Sequence, residues 1–135
     1  MGKYEKLTNE NYAELAEAAM AQLKKEKEAD RRKRLVSTSK IRNLLSMISD
    51  IYNELLNRPE EKLDERTRER IAYLRVRFVY EAGREDTVKH FVKTANILEH
   101  IQAINGKRSE FILFSRYMEA LVAYFKYFDL DEKER

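Results

Sequence analysis

The chain has 135 residues, 43% apolar and 38% charged, with a net charge of +3. That length suits one domain with a real core; three Gly and one Pro argue against an all-β or loop-rich fold, and the absence of Cys excludes disulfides, thiolate metal sites and a thiol nucleophile. The N-terminus MGKYEKLTNENYAEL lacks the apolar core of a signal peptide, and no apolar run approaches the ~20 residues that span a bilayer, so the expectation is a cytoplasmic protein without a membrane partner.

Taken in chain order, the pattern predicts five helices and no strand: an all-α, compact single-domain bundle. The first helix runs over residues 9–34. Tyr12, Leu15, Ala16, Ala19, Met20 and Leu23 recur at three- and four-residue steps. Beyond Leu23 the apolar face stops and KKEKEADRRKR follows, so residues 1–36 read as a charged N-terminal helix free to project from a bundle core over residues 37–128. Thr38 or Ser39 caps the second helix. Its stripe of Ile41, Leu44, Leu45, Ile48, Ile51, Tyr52 and Leu55 is the cleanest in the chain. Pro59 and the polar run around it make the next loop. Asp64 caps the third helix and Gly83 ends it as a C′ residue. Asp86 caps the fourth, whose stripe is Val88, Phe91, Val92, Ala95, Leu98 and Ile101 and which Asn105-Gly106 stops. Ser109 caps the fifth, whose aromatic and aliphatic residues surround most of the circumference. Such a helix is either central to the core or leaves an aromatic strip for another protein. Residues 129–135 form a charged tail.

The third helix carries arginines within an apolar stretch, YLRVRFVYEAGRE. Ile71, Leu74, Phe78, Val79 and Ala82 follow helical spacing. Arg70, Arg77 and Arg84 are seven apart, so they drift only about 20° per step and form a line roughly 21 Å long. The line stands more than about 90° from the apolar centre, with Tyr80 beside it. Guanidinium forks bind phosphate bidentately, and rings stack on bases or riboses; the competing reading is a solvated face with local pairs such as Arg77 with Glu81. Arg75 sits about 40° from the apolar centre and reads as a structural cation that needs a carboxylate from another helix or a subunit interface.

Lys40 and Arg42 open the second helix, where free N–H groups also attract anions; an ordinary cap with exposed charges fits equally. The run RRKR at 31–34 either holds nucleic acid or forms a solvated helix end neutralised by Glu26, Glu28 and Asp30. His90 and His100 differ by roughly 80° in direction and 15 Å in height on one helix, so they do not share a metal. No glycine-rich phosphate loop or Ser-His-Asp ordering stands out. No catalytic residue, metal or cofactor is expected.

Together, STSKIRNLLSMISDIY, YLRVRFVYEAGRE, VKHFVKTANILEHI and FSRYMEALVAYFKYF resemble, in order and spacing, the small α-helical subunit of the Csm complex, the RNA-guided effector of type III-A CRISPR systems. The residues that carry the likeness are Lys40-Ile41-Arg42, then Arg77, Tyr80, Gly83 and Arg84, then Glu119 to Lys126. The resemblance implies a non-catalytic subunit whose copies stack beside other subunits and line the channel holding guide RNA paired with target RNA. It raises the RNA reading of Lys40, Arg42, Arg77 and Arg84, to which Tyr80, Lys89 and Lys93 are added as candidate RNA-binding residues, and Glu119 is a candidate partner of Arg75. The alternative is a protein-only helical adaptor that dimerises through its aromatic last helix; an enzyme is the remotest reading.

Overall fold

The computed structural model describes residues 4–131. Its helices are α1 (Tyr12–Ala29), α2 (Thr38–Leu56), α3 (Glu65–Arg84), α4 (Asp86–Thr94), α5 (Ile97–Gln102) and α6 (Arg108–Tyr127). Among the described residues there is no strand, only one antiparallel bridge between Lys62 and Lys107 that ties the α2–α3 loop to the α5–α6 loop. The all-α expectation holds, with six helices where five were expected.

The extra helix comes from a break in the fourth. Asn96 adopts the left-handed conformation, φ 53° and ψ 38°, so α5 starts in a new direction. The break frees the Ala95 carbonyl, which accepts a 2.7 Å hydrogen bond from the Tyr117 hydroxyl of α6. A non-glycine residue other than Asn or Asp is strained there. Asn96→Ala is therefore expected to lower unfolding free energy by about 1 kcal/mol, and Asn96→Gly to leave it nearly unchanged, as read by urea titration.

α6 occupies the centre. Phe111, Phe114, Tyr117, Met118, Leu121 and Phe125 are buried, and the helix packs on α1 and α2. Tyr124 and Phe128 are partly covered, while Tyr127 is 80% exposed. The largely buried circumference explains why this helix needs apolar residues nearly all round. α3 packs on α2, α4 and α5 through Ile71, Leu74, Phe78 and Ala82. Val79, expected in that stripe, is instead 46% exposed.

The N-terminal region lies on the bundle rather than projecting from it. α1 ends at Ala29, and Ala16, Ala19, Met20 and Leu23 are buried against the rest of the core. Its polar end finds a partner of its own: His90 Nε2 of α4 lies 2.6 Å from Glu26 Oε1. Burial would raise the Glu26 carboxyl, but hydrogen bonds from Gln22 and His90 and the charges of His90 and Lys33 outweigh it and hold it below its ordinary value. Leu35 and Val36, beyond the helix, are buried as well. At the other end Leu130 folds back, its N–H donating to the Phe125 carbonyl at 3.0 Å; residues 132–135 of the expected tail lie outside the described residues.

The caps differ in detail from the sequence pattern. Ser37, one residue before the expected pair, caps α2 by accepting from the Lys40 N–H at 3.2 Å. Asp64 caps α3 as expected, accepting from the Thr67 N–H at 2.9 Å, and the Thr67 hydrogen bonds with the nearby charge of Arg58 hold its carboxyl below the usual range. Gly83 lies within α3, which continues to Arg84; the corner is Glu85, extended at φ −138° and ψ 127°, and Asp86 is the first residue of α4 rather than its cap. At α6 the cap position is Lys107. Ser109 gives both its N–H, at 3.1 Å, and its hydroxyl to the Glu61 carboxylate, which places a loop acid at a helix N-terminus where its charge is favoured.

His100 is 4% exposed and lies between the rings of Tyr4 and Tyr117, at centroid distances of 5.1 and 4.7 Å. Its Nδ1 has no hydrogen-bond partner among the described residues. Burial pushes its pKa from 6.5 down to about 4, so the folded chain holds it neutral. A depressed folded value adds stability that is fully present above about pH 6.5 and is lost as pH falls toward 4. The expected loss over that window is about 3 kcal/mol. His100→Phe should flatten it, and an NMR titration should place the His100 ring near pH 4.

Candidate nucleic-acid interface

α2 and α3 form an antiparallel hairpin, and their ion pairs give its register. Glu54, near the end of α2, pairs with Arg70 and, at 3.8 Å, with Arg66, near the start of α3. Lys40, at the start of α2, reaches Glu85 at the end of α3, with Nζ 2.7 Å from Oε2. Lys40, Met47 and Glu54 are seven apart on α2, as are Arg84, Arg77 and Arg70 on α3, so the two lines share a seam. Met47, Arg70, Tyr73 and Arg77 border an open groove along it.

Along the seven-residue line of α3 the arginines become more exposed toward its C-terminal end. Side-chain exposure rises from 33% at Arg70 to 40% at Arg77 and 50% at Arg84. Arg77 and Arg84 share Glu81, at 3.4 and 3.5 Å, and both guanidiniums lie 5.5 Å from the centre of the Tyr80 ring. Tyr80 itself is 53% exposed. Contacts of that length are at the weak end for hydrogen bonds, and exposed ion pairs contribute at most about 1 kcal/mol. Glu81 therefore orients two forks over one ring and leaves most of their ten N–H donors, five per guanidinium, unused. One carboxylate for two guanidiniums also leaves the cluster with a positive excess.

Lys40 joins this cluster through Glu85, the residue next to Arg84. Lys89 follows Glu85 by one turn on α4, its N–H donating to the Glu85 carbonyl at 3.0 Å, and Lys93 follows a turn later on the same face. Both side chains are exposed. The structure thus brings Lys40, Arg77, Tyr80, Arg84 and Lys89 to one corner, where α2 begins and α3 turns into α4.

Arg42 does not join them. Two residues past Lys40 it is rotated by about 200° around the helix, onto the side that carries Leu45, Ser49 and Tyr52 along the α2–α6 groove. Ile41, buried between the two, explains the split: an adjacent pair of cations around a core residue straddles the core. The expected Arg75–Glu119 pair is also absent. Arg75 donates to Gln102 Oε1 of α5 at 3.3 Å, and its Nε has no partner among the described residues. Glu119 is exposed on the α2–α6 groove beside Arg116. Arg75 faces α5, so the helix that carries Glu119 is on the wrong side.

Sequence spacing misses Glu85 as the link between Lys40 and Arg84, because the contact exists only once the hairpin has closed. It also misses the exposed apolar strip on α3, where Tyr73 is 62% and Val76 59% exposed beside Val79 and Tyr80. Among the described residues no group of three or more His, Asp or Glu is placed to hold a metal ion, and no helix is long and apolar enough to cross a membrane.

Fold and face together describe a small all-α protein with a cationic corner built from three helices. The family described as Csm2 Type III-A matches residues 9–131. A protein named CRISPR system Cms protein Csm2 from Streptococcus thermophilus is 45% identical over 122 residues, covering 90% of this chain and 94% of its own length. Its namesake from Mycobacterium tuberculosis (strain CDC 1551 / Oshkosh) is 43% identical over 98 residues, 73% of this chain and 79% of the relative. One from Enterococcus italicus is 34% identical over 99 residues, 72% of this chain and 71% of the relative. The chain belongs to the Csm2 type III-A family.

Proposed function

We propose that this protein is the non-catalytic small subunit of a type III-A CRISPR effector complex, and that it holds guide RNA and target RNA by their backbones. Membership of the Csm2 family supports the place in the complex. The RNA contact rests on one observation, the meeting of Lys40 with Arg84 and its neighbours Arg77 and Tyr80 at a single corner. Lys89 and Lys93 extend that corner along α4.

A subunit that serves every guide must ignore base identity. The major groove of an A-form duplex is too deep and narrow for side chains to read. Contacts to phosphates and 2′-hydroxyls fix position, and base pairing between the strands carries the sequence. One copy offers only a few cationic contacts, so isolated binding is weak and salt-sensitive. Copies side by side on one RNA convert weak contacts into firm retention.

A protein-only adaptor built on the aromatic last helix has less support, since α6 spends most of its aromatic surface on the core and shows mainly Tyr127 outside. The exposed strip of Tyr73, Val76 and Val79 on α3 is the better candidate for subunit contacts. Affinity purification of the tagged chain from cells carrying a type III-A system separates the two readings. Recovery in a multi-subunit particle that contains guide RNA is expected; recovery only as a free homodimer would contradict it.

A further inference from the structure

We infer that the turn joining α1 to α2 is a second anion-contacting element, in which Arg31, Arg32 and Arg34 grip RNA phosphates beside the corner formed by Lys40 and Arg84. The inference rests on the reading above that this side of the molecule faces RNA.

The turn is ordered by its own hydrogen bonds. The Lys33 N–H donates to the Asp30 carbonyl at 3.0 Å, and the Arg32 N–H donates to Asp30 Oδ1 at 3.1 Å. Lys27 Nζ donates to the Lys33 carbonyl at 2.5 Å, and Leu35 and Val36 anchor the exit in the core. The backbone of the run is therefore set before any partner arrives, which lowers the ordering cost of binding.

Its place follows from its two ends. The entry is tied to the middle of α4, because Lys33 Nζ lies 4.0 Å from Glu26 and Glu26 meets His90. The exit leads to Ser37 and Lys40, and Lys40 meets Glu85 just before the first turn of α4. His90 and Glu85 are about 7.5 Å apart along that helix. The turn thus leads from the Glu26–His90 contact on α4 to Lys40 at the corner.

The guanidiniums of this turn are also the least committed on that side. Arg77 and Arg84 share the Glu81 carboxylate, and Lys40 has Glu85. Arg31, Arg32 and Arg34 are exposed, and none has a side-chain ion pair or hydrogen bond among the described residues. Asp30, the nearest acid in sequence, spends one oxygen on the Arg32 backbone. Three unpaired planar forks on a fixed turn suit a row of phosphates better than a single carboxylate. Their place on the segment that leads into Lys40 favours a polyanion that reaches both, and an RNA strand is that polyanion.

The test uses the reconstituted complex and a fluorescein-labelled RNA complementary to its guide. Arg31→Gln, Arg32→Gln and Arg34→Gln are combined, and Arg77→Glu with Arg84→Glu is run in parallel. The linker variant should keep the parent melting curve and subunit content. Its affinity at about 0.15 M salt should fall roughly ten-fold, and the slope of log K against log salt should become shallower by about 2. Parent-like affinity and slope in the linker variant, with both reduced in the α3 variant, would overturn this inference and leave the corner standing. No change in either variant would sink the RNA reading as well. Loss of the folded linker variant from the complex would show that the turn meets an acidic protein surface instead, and would overturn the inference.

Discussion

Reversing Arg77 and Arg84 together to Glu is expected to weaken target-RNA binding by the assembled complex about 100-fold. Each change removes a forked donor and adds a charge that repels phosphate. The two side chains have one protein partner between them, Glu81, and share the Tyr80 ring. Three acids on successive helix turns would repel by only a few tenths of a kcal/mol per pair, so the bundle should still fold and assemble. Arg77→Gln with Arg84→Gln removes even that repulsion and should give a smaller loss, about 10-fold, at the same melting temperature. Lower RNA affinity with unchanged subunit content, read by fluorescence anisotropy and gel analysis of the complex, is the result that separates RNA contact from protein docking. Equal affinity in all three proteins would leave the α3 line as a solvated face.

Phe114→Ala should have the largest effect on stability. Phe114 is 1% exposed, stands in the first half of α6 and lies 6.1 Å from the Phe111 ring. Truncating a buried Phe removes transfer free energy and leaves a cavity, which together cost about 3–5 kcal/mol. That is a large part of a typical domain's total of about 5–15 kcal/mol. A fall in melting temperature of roughly 10–20 °C is expected, with Phe114→Leu losing much less. The pattern is the reverse of the arginine variants: Phe114→Ala should lose RNA only through unfolding. A melting temperature within a few degrees of the parent would mean that α6 is not the centre of the core.

Much of the fold is legible from local periodicity. The α2 stripe of Ile41, Leu44, Ile48, Ile51 and Leu55 is buried as its spacing indicates, and Asp64 caps α3. What local patterns miss is set by contacts between distant residues. The stripe from Val88 to Ile101 has helical spacing throughout, yet the helix breaks at Asn96 because Tyr117 takes up the freed Ala95 carbonyl. The charged end of α1 carries no apolar stripe but is held by His90. The cationic site divides in the same way. The line of Arg70, Arg77 and Arg84 is readable from spacing alone, and its match to Lys40, Met47 and Glu54 is written in the same seven-residue step. Treating Lys40 and Arg42 as a unit overlooks the roughly 200° between residues two apart on a helix. Pairing Arg75 with Glu119 required knowing which helix the Arg75 side chain meets, and that helix is α5.

Ultraviolet crosslinking of the reconstituted complex to its paired target RNA, with the attachment sites mapped by mass spectrometry, tests the central claim most directly. Adducts on Tyr80 and on peptides that carry Lys40, Arg84 and Lys89 are predicted, in amounts that do not vary with guide sequence. Adducts confined to α5, to the α2–α6 groove around Arg42 and Glu119, or to other subunits alone would contradict it.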